Sequence, residues 1–450
     1  EMKISKERQL FDNRALVALI IPLIIEQFLA VLVGMADSIM VASVGEAAVS
    51  GVSLVDNIVV LLINIFSALA TGGAVVAGQY LGRKREEEAC KSAGQLVWFV
   101  TISAVGVTAI VYLCKSFILH GVFGKIEADV MEHANTYLLI VTASIPFIAL
   151  YNGGAAIFRA MGDSKIPMIV SMIMNVINVS GNAILIYGFH CGTEGVAIPT
   201  LVSRAVAAIL ITILLCNSKR VLHLEKTFRY RFDGAMVKNI LKIGVPNGLE
   251  NSMFQLGKIL VLSLVSTFGT YAIAANAVSN AVAMFQILPG ISINLAIITV
   301  ISRCVGARDY EQVKYYTRKL HIITYAWMIV ENIIIALLIP TILKVYHLSD
   351  LTAQTTEQIL LFHAVAVVTI WPLSFSLPCT LRAAGDVQYT MYMSIFSMWI
   401  FRIAFSYVLG KYMGLGVFGI WVAMVIDWIF RAICFVIRYL GGKWKHKATV

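Results

Sequence analysis

The sequence is poor in charged residues. Asp, Glu, Lys and Arg make up 13% of its 450 residues, about half the share found in an ordinary soluble domain. Apolar residues make up 59%, and long apolar runs recur along almost the whole chain, each long enough to cross a hydrocarbon core of roughly 30 Å. This composition excludes a water-soluble fold and predicts a multi-pass integral membrane protein.

Motifs that carry enzyme chemistry are also absent. The sequence has no H-E-x-x-H, no G-x-S-x-G and no acidic metal cluster, which disfavours an intramembrane enzyme. Its seven cysteines show no C-x-x-C spacing, so neither a disulfide framework nor a zinc site is expected. We therefore predict a protein that is not an enzyme and has no resident cofactor.

The apolar segments predict an all-α protein with twelve transmembrane helices. These spans lie near residues 15–40, 50–78, 93–118, 134–158, 166–189, 195–216, 240–267, 272–301, 320–345, 357–381, 389–413 and 415–438.

The net charge of +10 follows this topology. Of the 35 Lys and Arg residues, 27 fall at the two termini or in the even-numbered loops between spans. Cytoplasmic loops carry such an excess of Lys and Arg, so both termini are predicted to be cytoplasmic and the protein to lie in the cytoplasmic (inner) membrane. The basic charge is thus a topology signal and does not indicate a nucleic-acid partner.

The two halves of the sequence repeat each other. At a shift of 224 or 223 residues the identities fall at landmarks: Pro22 with Pro246, Glu26 with Glu250, Gly45 with Gly269, Gly82 with Gly306, and Arg159–Asp163 with Arg382–Asp386. An even number of spans in each half makes the repeats parallel, with a pseudo-twofold axis along the membrane normal. We expect an N-lobe at 1–216, a cytoplasmic linker at 217–238 and a C-lobe at 239–450.

Several motifs together resemble the multidrug and toxic compound extrusion (MATE) transporters of prokaryotes. They are Pro-Leu-Ile-Ile-Glu-Gln at 22–27, Met-Ala-Asp-Ser-Ile-Met-Val at 35–41, the two R-A-x-G-D loops, Leu-Gly-Arg and Gly-Ala-Arg after spans 2 and 8, and Gly-Val-Pro at 244–246. The resemblance covers essentially the whole chain in order. It implies two six-helix lobes, export of amphipathic and often cationic compounds, and coupling to an inward flow of protons or sodium ions.

The resemblance also implies a cation site in the N-lobe. Asp37, Asn178 and Thr200 match the family pattern, whereas Asn182 stands where the fullest version of that site has a carboxylate. Independently, Asn178 and Asn182 are four residues apart and project together. They could surround a sodium ion or a protonated Asp37, or simply join helices by hydrogen bonds.

Ionisable side chains at membrane depth are costly and by default functional candidates. Glu26 lies eleven residues before Asp37 on nearly the same helical face, and we assign it to the substrate cavity. In the C-lobe, Glu250 and His363 are candidates for substrate or cation contact, since some family members bind sodium with carboxylates in spans 7 and 10. Lys258, two turns after Glu250, is an alternative partner for that carboxylate.

Further residues are assigned by weaker signals. Asn152 could join the N-lobe network, although glycine-mediated helix packing explains its segment almost as well. Pro22 and Pro246 each remove one backbone hydrogen bond and could gate transport by bending spans 1 and 7, or form static kinks. The R-A-x-G-D loops are expected to hold turns and cap the following helices.

Six further ionisable residues also lie within the predicted spans. Asp427 and Arg431 are spaced for an intrahelical ion pair. Asp56, Arg204, Glu331 and Arg402 also fall within spans and receive no role.

The favoured function is a monomeric cation-coupled antiporter for small organic molecules. Its closest rival is a flippase for a lipid-linked oligosaccharide or related amphiphile, which would need several cationic residues in its cavity for a pyrophosphate headgroup. A passive channel is disfavoured by the two-lobe repeat.

Overall fold

The computed structural model describes residues 7–225 and 230–450, and within these ranges the regular structure is entirely helical. The first half contains α1 (Asn13–Val44), α2 (Glu46–Gly82), α3 (Glu86–Leu113), α4 (Ala128–Thr142), α5 (Ile145–Ala160), α6 (Lys165–Ala183) and α7 (Glu194–Leu215). The second half contains α8 (Gly234–Ser266), α9 (Thr270–Gln286), α10 (Leu288–Gly306), α11 (Tyr310–Val345), α12 (Asp350–Thr369), α13 (Leu377–Ala383), α14 (Val387–Ser397) and α15 (Val417–Gly441).

Short segments of wider, π-helical backbone extend several of these helices. They lie at Ile118–Val122, Ile184–Gly188, Pro372–Ser376, Met398–Ala404 and Tyr407–Tyr412. A short helical turn at Lys115–Phe117 and a 3-10 turn at Lys443–His446 complete the helical structure of the described residues.

Every predicted span coincides with a helix or a bent helix pair. In the described ranges nine helices are long and apolar enough to cross a membrane, or eleven when each of the two bent pairs counts as one span. One predicted span, α8, is long enough with 33 residues but is not among these apolar helices. It carries the charged residues Glu250 and Lys258. The prediction of an all-helical membrane protein is confirmed.

Three spans break close to a proline. The α4–α5 pair bends by 46° just before Pro146, and the α12–α13 pair bends by 59° at Pro372. A third break separates α9 from α10 at Ile287, two residues before Pro289. Proline has no N–H to donate to the carbonyl four residues earlier, so each break falls where the helical hydrogen-bond ladder loses a member.

The chain divides into two compact units. The first unit comprises residues 17–248, and its apolar core joins side chains of α1, α2, α4 and α7, with Val55, Leu138 and Ala197 fully buried. Within it, α2 approaches the beginning of α8 so closely that a Cβ on Gly72 would lie 2.7 Å from the Ile240 carbonyl oxygen.

The second unit comprises residues 249–450 together with the segment before α1 up to Leu16. Its core clusters collect side chains of α8, α9, α11, α12 and α15, among them the buried Trp421 and Trp428. The N-terminal segment docks on α11. Arg8 donates to Asp309 (Nη2 to Oδ1, 2.9 Å), and the Phe11 N–H donates to the Tyr316 hydroxyl at 3.0 Å.

The internal repeat extends to the backbone. Gly162 and Gly385, which close the two R-A-x-G-D turns, have φ of +91° and +93°, a conformation that favours glycine. Lys84 and Arg308, 224 residues apart, share the left-handed region with φ of +61° and +58°. The repeat therefore preserves turn geometry even where the side chains differ.

Candidate functional site

Asp37 lies near the end of α1, at the centre of a polar cluster in the first unit. The Asn178 amide donates to Asp37 Oδ2 and the Asn182 amide donates to Asp37 Oδ1, each at 2.8 Å. Both asparagines come from α6, one turn apart, and both are buried. Thr200 of α7 completes the cluster by donating to Asn178 Oδ1 at 3.4 Å.

The cluster holds the oxygens that a hard cation requires. One carboxylate, two side-chain amides and a hydroxyl supply an all-oxygen ligand set. The Asn182 side-chain oxygen is buried and has no hydrogen-bond partner among the described residues, a state that is costly for a polar atom. Rotation of this amide exchanges its N–H group for that oxygen beside Asp37. The same residues therefore fit either an ionised carboxylate alone or a carboxylate with a bound cation or proton.

Asp56 and Arg204 border this cluster, although the sequence analysis predicts no role for either residue. Asp56 of α2 accepts a hydrogen bond of 2.7 Å from the Tyr137 hydroxyl, and the charges of both Asp56 and Arg204 act on Asp37. Arg204 of α7 donates to the Ser144 hydroxyl at 2.8 Å. Their positions within spans were the available signal, but only the fold identifies Asp37 as their neighbour.

Glu26 is held by an arginine. The Arg159 guanidinium donates to both carboxylate oxygens of Glu26, at 2.9 and 3.1 Å, and the Tyr151 hydroxyl contacts the same carboxylate at 3.4 Å. The Glu26 side chain is only 7% exposed. Its assignment to the substrate cavity stays a prediction, and in this structure its charge is neutralised within the first unit.

Glu250 has the matching partner in the second unit. Arg382 donates to Glu250 Oε1 at 2.6 Å, so the alternative pairing with Lys258 is not formed. Arg159 and Arg382 open the two R-A-x-G-D motifs. Each motif therefore ties its own loop to a glutamate of the first helix of its half, a contact that the expected turn-holding role did not include.

The aspartates that close the R-A-x-G-D motifs behave differently in the two units. Asp163 accepts from the N–H groups of Lys165 and Ile166 at 3.1 and 3.3 Å, which confirms the expected helix cap. Asp386 instead receives two hydrogen bonds, of 2.7 and 3.0 Å, from Arg438.

Among the described residues, His363 forms no direct contact with a carboxylate. Its Nδ1 is 2.5 Å from the Gln286 side-chain oxygen, and Trp421 and Trp428 flank its ring edge-on at 5.3 and 5.4 Å between centroids. The side chain is 2% exposed. The arrangement places His363 in a packed polar contact at the α9–α10 break.

Asn152, Pro22 and Pro246 are the remaining predicted site residues. Asn152 is half-buried on α5, and among the described residues its side chain has no hydrogen bond to the Asp37 cluster. Pro22 and Pro246 lie inside α1 and α8. Because Pro22 cannot donate to the Ala18 carbonyl, a hydroxyl substitutes there: Ser164 Oγ lies 3.4 Å from Ala18 O and 2.6 Å from Leu19 O.

The predicted ion pair between Asp427 and Arg431 is confirmed. Arg431 Nε lies 3.0 Å from Asp427 Oδ1, and both side chains are buried.

An all-helical membrane protein with two repeated six-span halves and a carboxylate–amide cluster at membrane depth belongs to the class of secondary transporters. The model of the MatE family matches residues 22–184 and 246–408. This chain therefore belongs to the MATE family of multidrug efflux transporters, which are not enzymes.

Relatives and solved structures agree over nearly the full length. The uncharacterized transporter YisQ of Bacillus subtilis is 26% identical, covering 95% of this chain and 94% of its own. The probable multidrug resistance protein NorM of Thermotoga maritima is 25% identical, covering 97% and 94%. A multidrug resistance MATE transporter of the MOP superfamily, solved facing outward, superimposes with a TM-score of 0.86 at 21% identity, covering 98% of both chains. A MOP superfamily transporter from Pyrococcus furiosus, described as having a binding pocket of reverse polarity, gives a TM-score of 0.84 at 21% identity and 98% coverage of both.

Proposed function

We propose that this protein is a cation-coupled antiporter that exports small amphipathic, often cationic, organic compounds by alternating access. The observation that carries the proposal is the Asp37 cluster, in which a carboxylate at membrane depth is held by two amide donors 2.8 Å away. Names of relatives support drug export, since NorM proteins are called probable multidrug resistance proteins.

The coupling step uses the chemistry of this cluster. An ionised Asp37 accepts the Asn178 and Asn182 amide N–H groups, and an arriving sodium ion or proton takes their place. The amides then turn their oxygens toward the cation or the protonated carboxyl, which relieves the unpartnered Asn182 oxygen. The cluster joins α1 to α6, so cation entry changes what holds these two helices together.

Pro22 and Pro246 serve in this proposal as the bending points of α1 and α8. Glu26 and Glu250, released from their arginines, would face cationic substrate, with His363 and Asn152 in supporting positions. The topology that fits the charge distribution has both termini in the cytoplasm and the protein in the inner membrane. A monomer suffices, because one chain already supplies both repeats.

The test is export of a fluorescent organic cation from reconstituted vesicles under an imposed proton or sodium gradient. We expect Asp37→Asn to reduce gradient-driven export to the rate measured without a gradient, because the variant has no carboxylate to neutralise. The gradient that drives the parent protein identifies the coupling ion.

Asp129→Asn is the matched control, since Asp129 is an exposed acid in the first turn of α4. It should leave export unchanged. Full gradient-driven export by Asp37→Asn would refute the proposal, and export by the parent that ignores both gradients would favour a passive channel.

The flippase for a lipid-linked oligosaccharide is retained as a second candidate because of one observation. The second unit carries two cations inside spans, Lys258 and Arg402. A pyrophosphate headgroup requires cations of this kind. Flipping of a fluorescent pyrophosphate-linked lipid in the same vesicles, without export of the organic cation, would favour this function.

A further inference from the structure

Three cationic side chains surround one aromatic ring in the second unit. The Lys258 Nζ and the Arg402 guanidinium carbon each lie 4.8 Å from the centroid of the Phe254 ring, and the Arg431 guanidinium carbon lies 6.0 Å from it. Lys258 lies eight residues before the end of α8, roughly 12 Å along the helix. The group is therefore at membrane depth.

These three cations share a single acidic neighbour among the described residues of the unit. Asp427 bonds Arg431 at 3.0 Å and also accepts from the Ser397 hydroxyl. Lys258 and Arg402 form no ion pair in the described part of the chain, and besides the Phe254 ring the Arg402 guanidinium contacts the Met398 sulfur, at 3.8 Å. The cluster thus contains two more positive than negative charges.

The aromatic ring alone does not offset this excess. A cation over a ring gains about 0.5–2 kcal/mol, whereas a charged side chain at the bilayer centre costs at least about 2.5–3.5 kcal/mol. A ring also has only two faces. A negative group close to Lys258 and Arg402 would offset the remaining positive charge.

Local backbone structure holds the cations together. Gly257 lets α8 approach the π-helical segment Met398–Ala404 so closely that a Cβ there would lie 2.2 Å from Met398 Cε. Arg402 itself belongs to the π-helical segment Met398–Ala404. Such segments widen a helix at a small energetic cost and occur frequently at functional sites.

The repeat shows that this segment is a departure from the common plan. At the shift of 224 residues that relates both ends of the family matches, Arg402 falls opposite Asn178 of the Asp37 cluster, and at the shift of 223 that relates the R-A-x-G-D motifs it falls opposite Val179. The π-helical segments Ile184–Gly188 and Tyr407–Tyr412 overlap at either shift, but Met398–Ala404 corresponds to regular helix in α6. In either alignment the second unit has a cation where the first has an uncharged side chain.

We propose that Lys258, Arg402 and Phe254 form a binding site for the anionic group of an amphipathic organic substrate. The two cations bind a carboxylate or phosphate, and the Phe254 ring, which both of them contact, keeps them close together. This inference rests on the proposed transport function and adds compounds that carry an anionic group, including zwitterions, to its substrates. Lys258 is exposed and Arg402 half-buried, so both are accessible to a ligand.

The test measures binding alone, without any ion gradient, so that it is independent of coupling. Purified protein in phosphatidylcholine nanodiscs is titrated with tetramethylrhodamine and with its methyl ester, which differ only in whether the carboxyl group is free. Fluorescence anisotropy should give a lower Kd for the free acid, by about tenfold, because charge-assisted hydrogen bonds form only with a carboxylate. Equal affinities for acid and ester in the parent protein would overturn the proposal.

Lys258→Gln should abolish the preference for the acid and leave ester binding unchanged, whereas Lys258→Arg should retain it. Arg402→Lys, which keeps the charge, guards against a folding defect and should preserve most of the preference. Lys411→Gln is the matched control, since Lys411 also lies over an aromatic ring, 5.8 Å from the Tyr412 centroid. Loss of the preference in Lys411→Gln as well as in Lys258→Gln would refute the assignment to this cluster.

A second arm separates a soluble substrate from a lipid headgroup. Nanodiscs that contain phosphatidylglycerol test whether an anionic lipid competes for the same cations. A preference for the acid that persists supports a soluble anionic substrate. A preference that disappears in these nanodiscs, but not in phosphatidylcholine, supports the same site with lipid phosphate as its occupant. Because no gradient is applied, the binding results can be interpreted even if the protein shows no ion coupling in vesicles.

Discussion

A single amide in place of a carboxylate defines the chemistry of the Asp37 cluster. Asn182 occupies the position where the fullest family pattern has an acid, and its side chain donates to Asp37 at 2.8 Å. One carboxylate balances one monovalent charge, so a cation in this site is neutralised without a second acid. If sodium is the coupling ion of the proposed mechanism, the amide should therefore limit how strongly the site attracts it.

Asn182→Asp tests this limit directly. A second carboxylate beside Asp37 should lower the sodium concentration needed for half-maximal export by roughly tenfold, because each nearby opposite charge adds Coulomb energy in a partly buried site. The measurement is dye export at increasing sodium concentration. Asn217→Asp, an exposed position after α7, should leave the sodium dependence unchanged, and a similar response in both variants would contradict the prediction.

The buried pair of Glu26 and Arg159 yields a stability prediction. Glu26→Gln leaves the Arg159 charge without its partner and should lower the free energy of unfolding by about 3–5 kcal/mol. The double variant Glu26→Gln with Arg159→Gln should be less destabilised than Glu26→Gln alone. Thermal denaturation of purified protein in detergent provides the comparison, and equal losses in the single and double variants would show that the ion pair is not the cause.

At the scale of elements, α1 is held at two successive points by the end of α5 and the loop that follows it. Ser164 donates to the Leu19 carbonyl at 2.6 Å and lies 3.4 Å from the Ala18 carbonyl, which Pro22 leaves without a helical donor. One turn later Arg159 binds Glu26. The equivalent loop of the second unit has Arg382 on Glu250 but has Val387 where the first has Ser164. The proline of α1 thus has a built-in hydroxyl substitute that the proline of α8 lacks.

Pro22→Ala should restore the helical N–H donor to Ala18 and stiffen α1. We expect the protein to fold normally and the initial export rate to fall by roughly fivefold or more, as in other hinge substitutions. Pro340→Ala is the matched control, because Pro340 is an exposed proline inside α11. An unchanged rate for Pro22→Ala would leave Pro22 as a static kink.

The sequence was sufficient for the spans and the repeat, because these depend on local composition and on regular spacing. The grouping of Asp37 with Asn178 and Thr200 was predicted from the family resemblance, since these residues lie on three different helices. Asn178 and Asn182 project together by helical geometry alone. The pairs Glu26–Arg159 and Glu250–Arg382 were not foreseen, since their members are 133 and 132 residues apart. The π-helical segment around Arg402 also has no sequence signature.

On the scale of the whole molecule, the distribution of Lys and Arg predicts which side of the membrane each loop faces. The two left-handed turns at Lys84 and Arg308 occupy equivalent places in the repeats, and both should face the cytoplasm.

Single cysteines in a cysteine-free variant test this orientation. Cysteine at position 84 or 308 should react with a membrane-impermeant maleimide only after cells are permeabilised, whereas cysteine at position 129 should react in intact cells. The reverse pattern would place the termini outside. Labelling of all three positions in intact cells would contradict a fixed orientation.

The N-terminal segment docks on α11, and this contact limits how the two halves of the chain can be separated. Residues 8–16 belong with the second unit, although α1 continues into the first. A fragment that starts after the inter-repeat linker would leave the Asp309, Gln312 and Tyr316 side chains without the partners that Arg8, Leu10 and Phe11 give them. The later half of the chain would therefore need the first few residues, supplied as a separate peptide or fused ahead of it, to complete its own surface.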